Sequence, residues 1–325
     1  MKKKPICLVI DDSTPIISIS YFGDRYLADG REKIKFFPLD ALYDFCNVVE
    51  EQGIKGKFSI VPMPAAQGDI INGINGVSRS DLDTWLDTVK KRIAPRMAIC
   101  PEMLTHTKAI DLSTGMPTGI REDDWSSTQT VETLTPYITH AVRLVHDAGF
   151  DVYGVTSPWE FGIDVEDAYA EAVSRAVSSV MGVPHSWYFL HCIRDTANVR
   201  PWIALDDGDR TVVTIPVNTR DHVWKTLEST RTDDEFISSL ADGYITADGE
   251  DGEIVRVLRS GGYPMILSHW QSLMSNGSYV GIRIIEEVAR RVNEHLSDAV
   301  EWTSFDRIVD DVVSDKNNYQ PYHRS

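Results

Sequence analysis

The strongest constraint on the fold is an alternation. Short runs of apolar, mostly β-branched residues take turns with amphipathic helical patterns along nearly the whole chain. The first run, Ile6-Cys7-Leu8-Val9-Ile10, sits between Pro5 and a polar turn and has no polar member, as expected of a strand buried on both faces. Similar runs predict strands at 57–61, 96–100, 151–155, 186–190 and 265–268. A hairpin is predicted from 199–205 and 211–217, joined by the turn Asp206-Asp207-Gly208-Asp209. Helical patterns fall between the strands, at 38–52, from a Ser80-Asp81 cap to 92, and at 131–148, 165–180, 234–245, 250–260 and 280–296. A short strand at 300–302 then leads into a last helix from Phe305. Strands that alternate with helices pair in parallel through helical crossovers, and about seven such units predict a barrel or a near-closed barrel. An open doubly wound parallel sheet is the alternative. No Gly/Ser-rich linker, internal repeat or low-complexity tract divides residues 1–325, so one catalytic domain is expected.

Composition narrows the function. The net charge is −17, from 49 acidic against 32 basic side chains, which disfavours a nucleic-acid partner. No apolar run approaches the roughly eighteen residues that a membrane helix needs. The dinucleotide fingerprint GxGxxG and the phosphate loop GxxxxGK[ST] are both absent. Cys7, Cys46, Cys100 and Cys192 show no paired spacing and are expected to be reduced and structural. Met1-Lys2-Lys3-Lys4 precedes too short an apolar run for a secretory signal, so as written the sequence predicts a cytoplasmic protein.

Chemistry is expected at the C-terminal ends of the strands, where parallel α/β folds bind their ligands. Four polar clusters fall there: Asp11-Asp12, Thr105-His106-Thr107, Thr156-Ser157-Pro158-Trp159 and Ser268-His269-Trp270. A carboxylate and an imidazole from different strands can share a divalent metal such as zinc. A second carboxylate can then take a proton from water, and another histidine can protonate a leaving group. Asp11-Asp12-Ser13-Thr14 also suits a helix cap or turn, which is the structural alternative.

In order and spacing these clusters resemble the polysaccharide deacetylases, the NodB-homology carbohydrate esterases. Leu8-Val9-Ile10-Asp11-Asp12-Ser13 is similar to that family's TFDDG motif, and Gly56-Lys57-Phe58-Ser59-Ile60-Val61-Pro62 to its ATFFV strand. Thr105-His106-Thr107 resembles the start of H[ST]xxH, and Thr156-Ser157-Pro158-Trp159, with Gly162 nearby, resembles RxPYG. Leu267-Ser268-His269 matches the final LxH motif. The likeness runs from about residue 5 to 313. It implies a distorted (β/α)7 barrel and a metal-dependent hydrolase that removes N-linked acetyl or other acyl groups from a carbohydrate or small acylated substrate. Asp11 would be the base and His269 the acid. Asp12 and His106 would hold the metal, with Asp111 in place of a missing third ligand. Ser157, Trp159 and Trp270 would meet the substrate, and a backbone N–H near Trp159 would stabilise the oxyanion.

Three positions depart from the family pattern. Ile110 stands where the second metal histidine is expected, Thr156 replaces the arginine that holds the base, and Ser13 replaces a glycine. Two alternatives follow: a metal-independent glycoside hydrolase pairing Asp11 with Glu160, and a glycan-binding barrel without catalysis.

Overall fold

The structure, a computed structural model, describes residues 3–194 and 198–319. Strand β1 (Lys4–Asp11) enters the core at once. Its alternate residues face two different environments, because side chains on a strand alternate across it. Cys7 and Val9 pack inward with Ala98, Cys100, Trp187, Phe189, Val213, Met265 and Leu267. Ile6, Leu8 and Ile10 pack outward against the helices. Asp11, two residues beyond Val9, continues the inward face.

A loop with the short helix α1 (Ile19–Gly23) leads to α2 (Leu39–Glu51) and β2 (Gly56–Ile60). A small hairpin of β3 (Gly68–Asp69) and β4 (Gly73–Ile74) precedes α3 (Arg79–Thr88), which is capped by Ser78 rather than by the predicted Ser80. After β5 (Met97–Pro101), the antiparallel strands β6 (Lys108–Asp111) and β7 (Met116–Arg121) lead into α4 (Glu122–Ser126) and α5 (Val131–Asp147). Then come β8 (Gly154–Thr156), α6 (Glu166–Met181), β9 (His185–Phe189), β10 (Trp202–Asp206) and β11 (Thr211–Thr214). The chain closes with α7 (Asp234–Tyr244), α8 (Glu253–Arg259), β12 (Met265–His269), α9 (Trp270–Met274), α10 (Val280–His295), β13 (Val300–Trp302) and α11 (Phe305–Ser314).

Strands β12, β1, β2 and β5 form one parallel ladder, and β8, β9 and β11 form another, with β10 antiparallel on its edge. A single parallel bridge, Glu102 to Thr156, joins β5 to β8. On the other side the backbone ladder lapses, and the side chains of Asn218 and Thr219 bond the edge of β12 instead. Met265 N donates to Asn218 Oδ1 and Leu267 N to Thr219 Oγ1, each at 3.0 Å. The parallel strands β1, β2, β5, β8, β9, β11 and β12 therefore follow one another as in a distorted (β/α)7 barrel with two weak seams. The expected hairpin is present as β10 and β11. Among the described residues no helix is long and apolar enough to cross a membrane. All four cysteines are free, with Cys192 the exposed one.

Candidate active site

Asp11 and His269 are register partners across β1 and β12, so both leave the sheet at the same level and on the inner face. The next residue, Asp12, takes a left-handed φ of 61°. That turn is strained for a residue with a side chain, and it keeps Asp12 at the mouth instead of sending it outward. Its N–H donates to Glu102 Oε2 at 2.7 Å. Glu102 follows β5 directly, and Ser59 Oγ on β2 donates to the same oxygen at 2.5 Å. Three adjacent strands thus fix one pair of carboxylates.

His106 reaches this pair from the loop after β5. Its Nε2 lies 2.6 Å from Asp12 Oδ1 and 3.3 Å from Glu102 Oε1. The loop is built around Glu122, whose buried carboxylate accepts from the backbone N–H of Leu104, Thr105 and His106 and from Tyr137 Oη. Burial raises the Glu122 carboxyl against these bonds. The run Arg121-Glu122-Asp123-Asp124-Trp125 has the composition of a solvated loop. Glu122 within it is instead the post on which His106 hangs.

Lys57 supplies the cation that Thr156 cannot. It is wholly buried on the inner face of β2, and its Nζ pairs with Asp11 Oδ1 and donates to Ile10 O at 3.3 Å. Burial pushes the Asp11 carboxyl up and Lys57 pulls it back only in part, leaving it at about 6. Burial would likewise discharge the lysine, but Asp11, Cys100 and Glu102 hold its ammonium above the usual value. Thr156 turns to Cys100, with Oγ1 and Sγ 3.3 Å apart.

On the far side, His269 Nδ1 lies 2.8 Å from Asp221 Oδ2, and Ser272 Oγ donates to that same oxygen at 2.9 Å. Burial opposes charge on the ring, but Asp221, Asp12 and Asp11 raise the imidazole to about 9. Burial also works against the Asp12 carboxylate, yet His106, His269 and the Gln271 amide that donates to its Oδ2 hold it well below the usual carboxylate range. Asp12 and Glu102 in turn raise His106 well above its normal value despite burial. The pocket floor favours a positive charge between the two carboxylates.

Above this floor opens a cleft of about 490 Å³, with His106, Trp159, Trp224, Phe22, Arg121 and Gln271 among its walls. Trp159 is 45% exposed, edge-on to His106 at 4.4 Å, and carries the Arg121 guanidinium 4.4 Å from its ring centre. Trp224 meets His269 the same way at 5.0 Å.

Three predicted site residues lie elsewhere. The segment after His106 is a hairpin and not a helix, so the i+4 spacing has no meaning there. Asp111 ends β6 in solvent, and its Oδ1 accepts from Ser113 N and Oγ. Trp270 is 1% exposed and packs on Phe45 and Phe58 in the outer core, because the residue after inward-facing His269 must point outward. Ser157 is buried and shares a hydrogen bond with Tyr169 Oη at 2.8 Å. Glu160, the partner that a glycosidase would need, is exposed. Lys57, Glu102, Asp221, Trp224 and Gln271 were not singled out from sequence. Glu102 had a readable signal, since it ends the third strand as Asp11 ends the first. Lys57 had one too, as a lysine at an inward position of an otherwise apolar or small strand.

The donors Asp12, Glu102 and His106 fit a divalent metal. One atom from each lies within 4.8 Å of the others, and among the described residues no other group of this kind occurs. Asp12 Oδ1 is buried, and His106 Nε2 stands 2.6 Å from it as an ion-pair partner. A buried carboxylate oxygen, an imidazole nitrogen and a second carboxylate gathered this closely are donors of the kind that hold a divalent metal.

Among solved structures, one from Mycobacterium smegmatis named as a polysaccharide deacetylase matches all of this chain and 96% of its own, with a TM-score of 0.55 and 14% identity. The chain has the polysaccharide deacetylase fold. A 4-α-glucanotransferase from Thermococcus litoralis (TM-score 0.47, 10% identity, covering 95% of this chain and 40% of that one) is a looser likeness. So is a mutant pseudoenzyme of carbohydrate esterase family 4 (TM-score 0.42, 10% identity, 95% and 68%). Neither bears on function. No family model and no curated protein matches the sequence.

Proposed function

We propose that this chain is a metal-dependent hydrolase that removes an N-linked acyl group, acetyl foremost, from a carbohydrate. The observation that carries the reading is the Asp12–Glu102–His106 group under an aromatic-walled cleft, with Asp11 and His269 on the same inner face. A divalent metal held there, zinc being the first candidate, would lend Lewis acidity to the acyl carbonyl and to the attacking water. Asp11, at about 6, is ionised at neutral pH and takes the proton from that water. His269, at about 9, is charged at neutral pH and gives its proton to the departing nitrogen. Asp221 and Ser272 keep the His269 ring in place. Trp159 and Trp224 offer faces for a sugar ring, and a backbone N–H near Trp159 donates to the developing oxyanion.

Release of acetate from N-acetylated oligosaccharides by zinc-, cobalt- or nickel-loaded protein tests the reading. Activity should vanish on chelation, and D11N should lower kcat by a factor of about 100 or more. Cleavage of glycosidic bonds that needs no metal and is abolished by E160Q would replace it.

A further inference from the structure

The N-terminal ends of the strands, at the other end of the barrel from the cleft, frame a second cavity of about 320 Å³. Lys3 and Lys4 at the start of β1, Lys55 before β2, Arg200 before β10 and Arg307 on α11 all line it, against the carboxylates of Glu301 and Asp311. This gathering runs against the composition, which has 49 acidic side chains to 32 basic. Arg307 pairs with Asp311 at 3.3 Å. Among the described residues Lys3, Lys4, Lys55 and Arg200 have no carboxylate within ion-pair distance, even though Glu301 lines the same cavity.

What those cations do bond is neutral. Lys4 Nζ donates to Leu258 O at 3.1 Å, and Arg200 Nε donates to Gly261 O at 3.1 Å. The Arg200 guanidinium lies 5.6 Å from the Tyr263 ring centre, and Tyr263 Oη and Tyr319 Oη are 3.0 Å apart at the cavity wall. Burial and the nearby Arg200 both press the Lys4 ammonium below its usual value, as unrelieved like charge does. Ammonium and guanidinium groups around a pocket of this size, beside Tyr263, Trp302 and Tyr319, match a dianionic headgroup with a small flat or apolar remainder.

We propose that this cavity binds a small phosphate ester, with Lys4, Lys55 and Arg200 on the phosphate. The site is separate from the catalytic cleft and does not depend on the acyl-hydrolase reading. Inorganic phosphate is the probe, applied in calorimetric titration and thermal unfolding of the full chain, with chloride at matched ionic strength as reference. The expected result is saturable binding and a rise in Tm with phosphate beyond that with chloride. K55Q/R200Q should bind about tenfold more weakly, while K90Q/K91Q, which removes two exposed cations elsewhere, should bind as the wild type does. Lys55 makes no side-chain hydrogen bond among the described residues, so K55Q alone serves if Arg200 proves necessary for folding. Equal effects of phosphate and chloride, or unchanged binding in both K55Q and K55Q/R200Q, would overturn the proposal.

Discussion

At the residue scale, two of the three departures from the motif pattern are made good, in the proposed site, from unexpected positions. Where an arginine is expected at 156, Lys57 from the neighbouring strand sets a buried ammonium on Asp11. On the proposed reading, the ligand expected after His106 is replaced by Glu102, four residues before it and 3.3 Å from its ring. Breaking the first pair leaves a carboxylate without a counter-charge in the barrel interior. K57M should therefore lower stability by about 3–5 kcal/mol, read as a fall in the urea midpoint, and an unchanged midpoint would count against the pairing. His269 gives a second test. Its raised pKa means that it holds its proton up to about pH 9 in the fold, and activity that needs the proton falls as pH rises through that value. Asp221 favours the charged ring, so D221N should move the alkaline limb of kcat/KM to lower pH. A limb that stays in place would assign it to another group.

The loop after β5 shows how an element can be organised by one buried side chain. Leu104, Thr105 and His106 turn their N–H groups to Glu122, and Tyr137 on α5 adds a fourth bond. The left-handed φ of 54° at His106 is held by this arrangement. E122A would strand several buried donors, and should cost on the order of 3 kcal/mol while weakening metal binding through His106. Denaturant titration with zinc titration alongside separates these effects, and unfolding at the wild-type midpoint would refute the anchoring role. Such an anchor is hard to see in advance. Glu122 stands among Arg121, Asp123 and Asp124, and nothing in that polar run tells which acid turns inward.

For the molecule as a whole, periodicity made the βα units legible, because most strands between helical crossovers are largely apolar on both faces. The inward set Cys7, Val9, Asp11 and the outward set Ile6, Leu8, Ile10 follow from the same alternation, and it would have excluded Trp270 from the site had it been carried one residue past His269. Chemistry that depends on seams and register was not legible. Asp221 enters the site only because the chain passes β12 after Asn218 and Thr219 have closed one seam, whereas Glu102, at the bridge to Thr156 that joins β5 to β8, could be read from its place at a strand end. The strand ends therefore carry a site drawn from β1, β2, the β5 loop and β12, in which Asp12, Glu102 and His106 are proposed to hold one metal ion. Calorimetric titration of the metal-free protein with zinc tests that most directly. One equivalent should bind to the wild type and to D111N, with affinity falling more than about tenfold in E102Q. Loss of binding in D111N with E102Q unaffected, or no binding by the wild type at all, would contradict it.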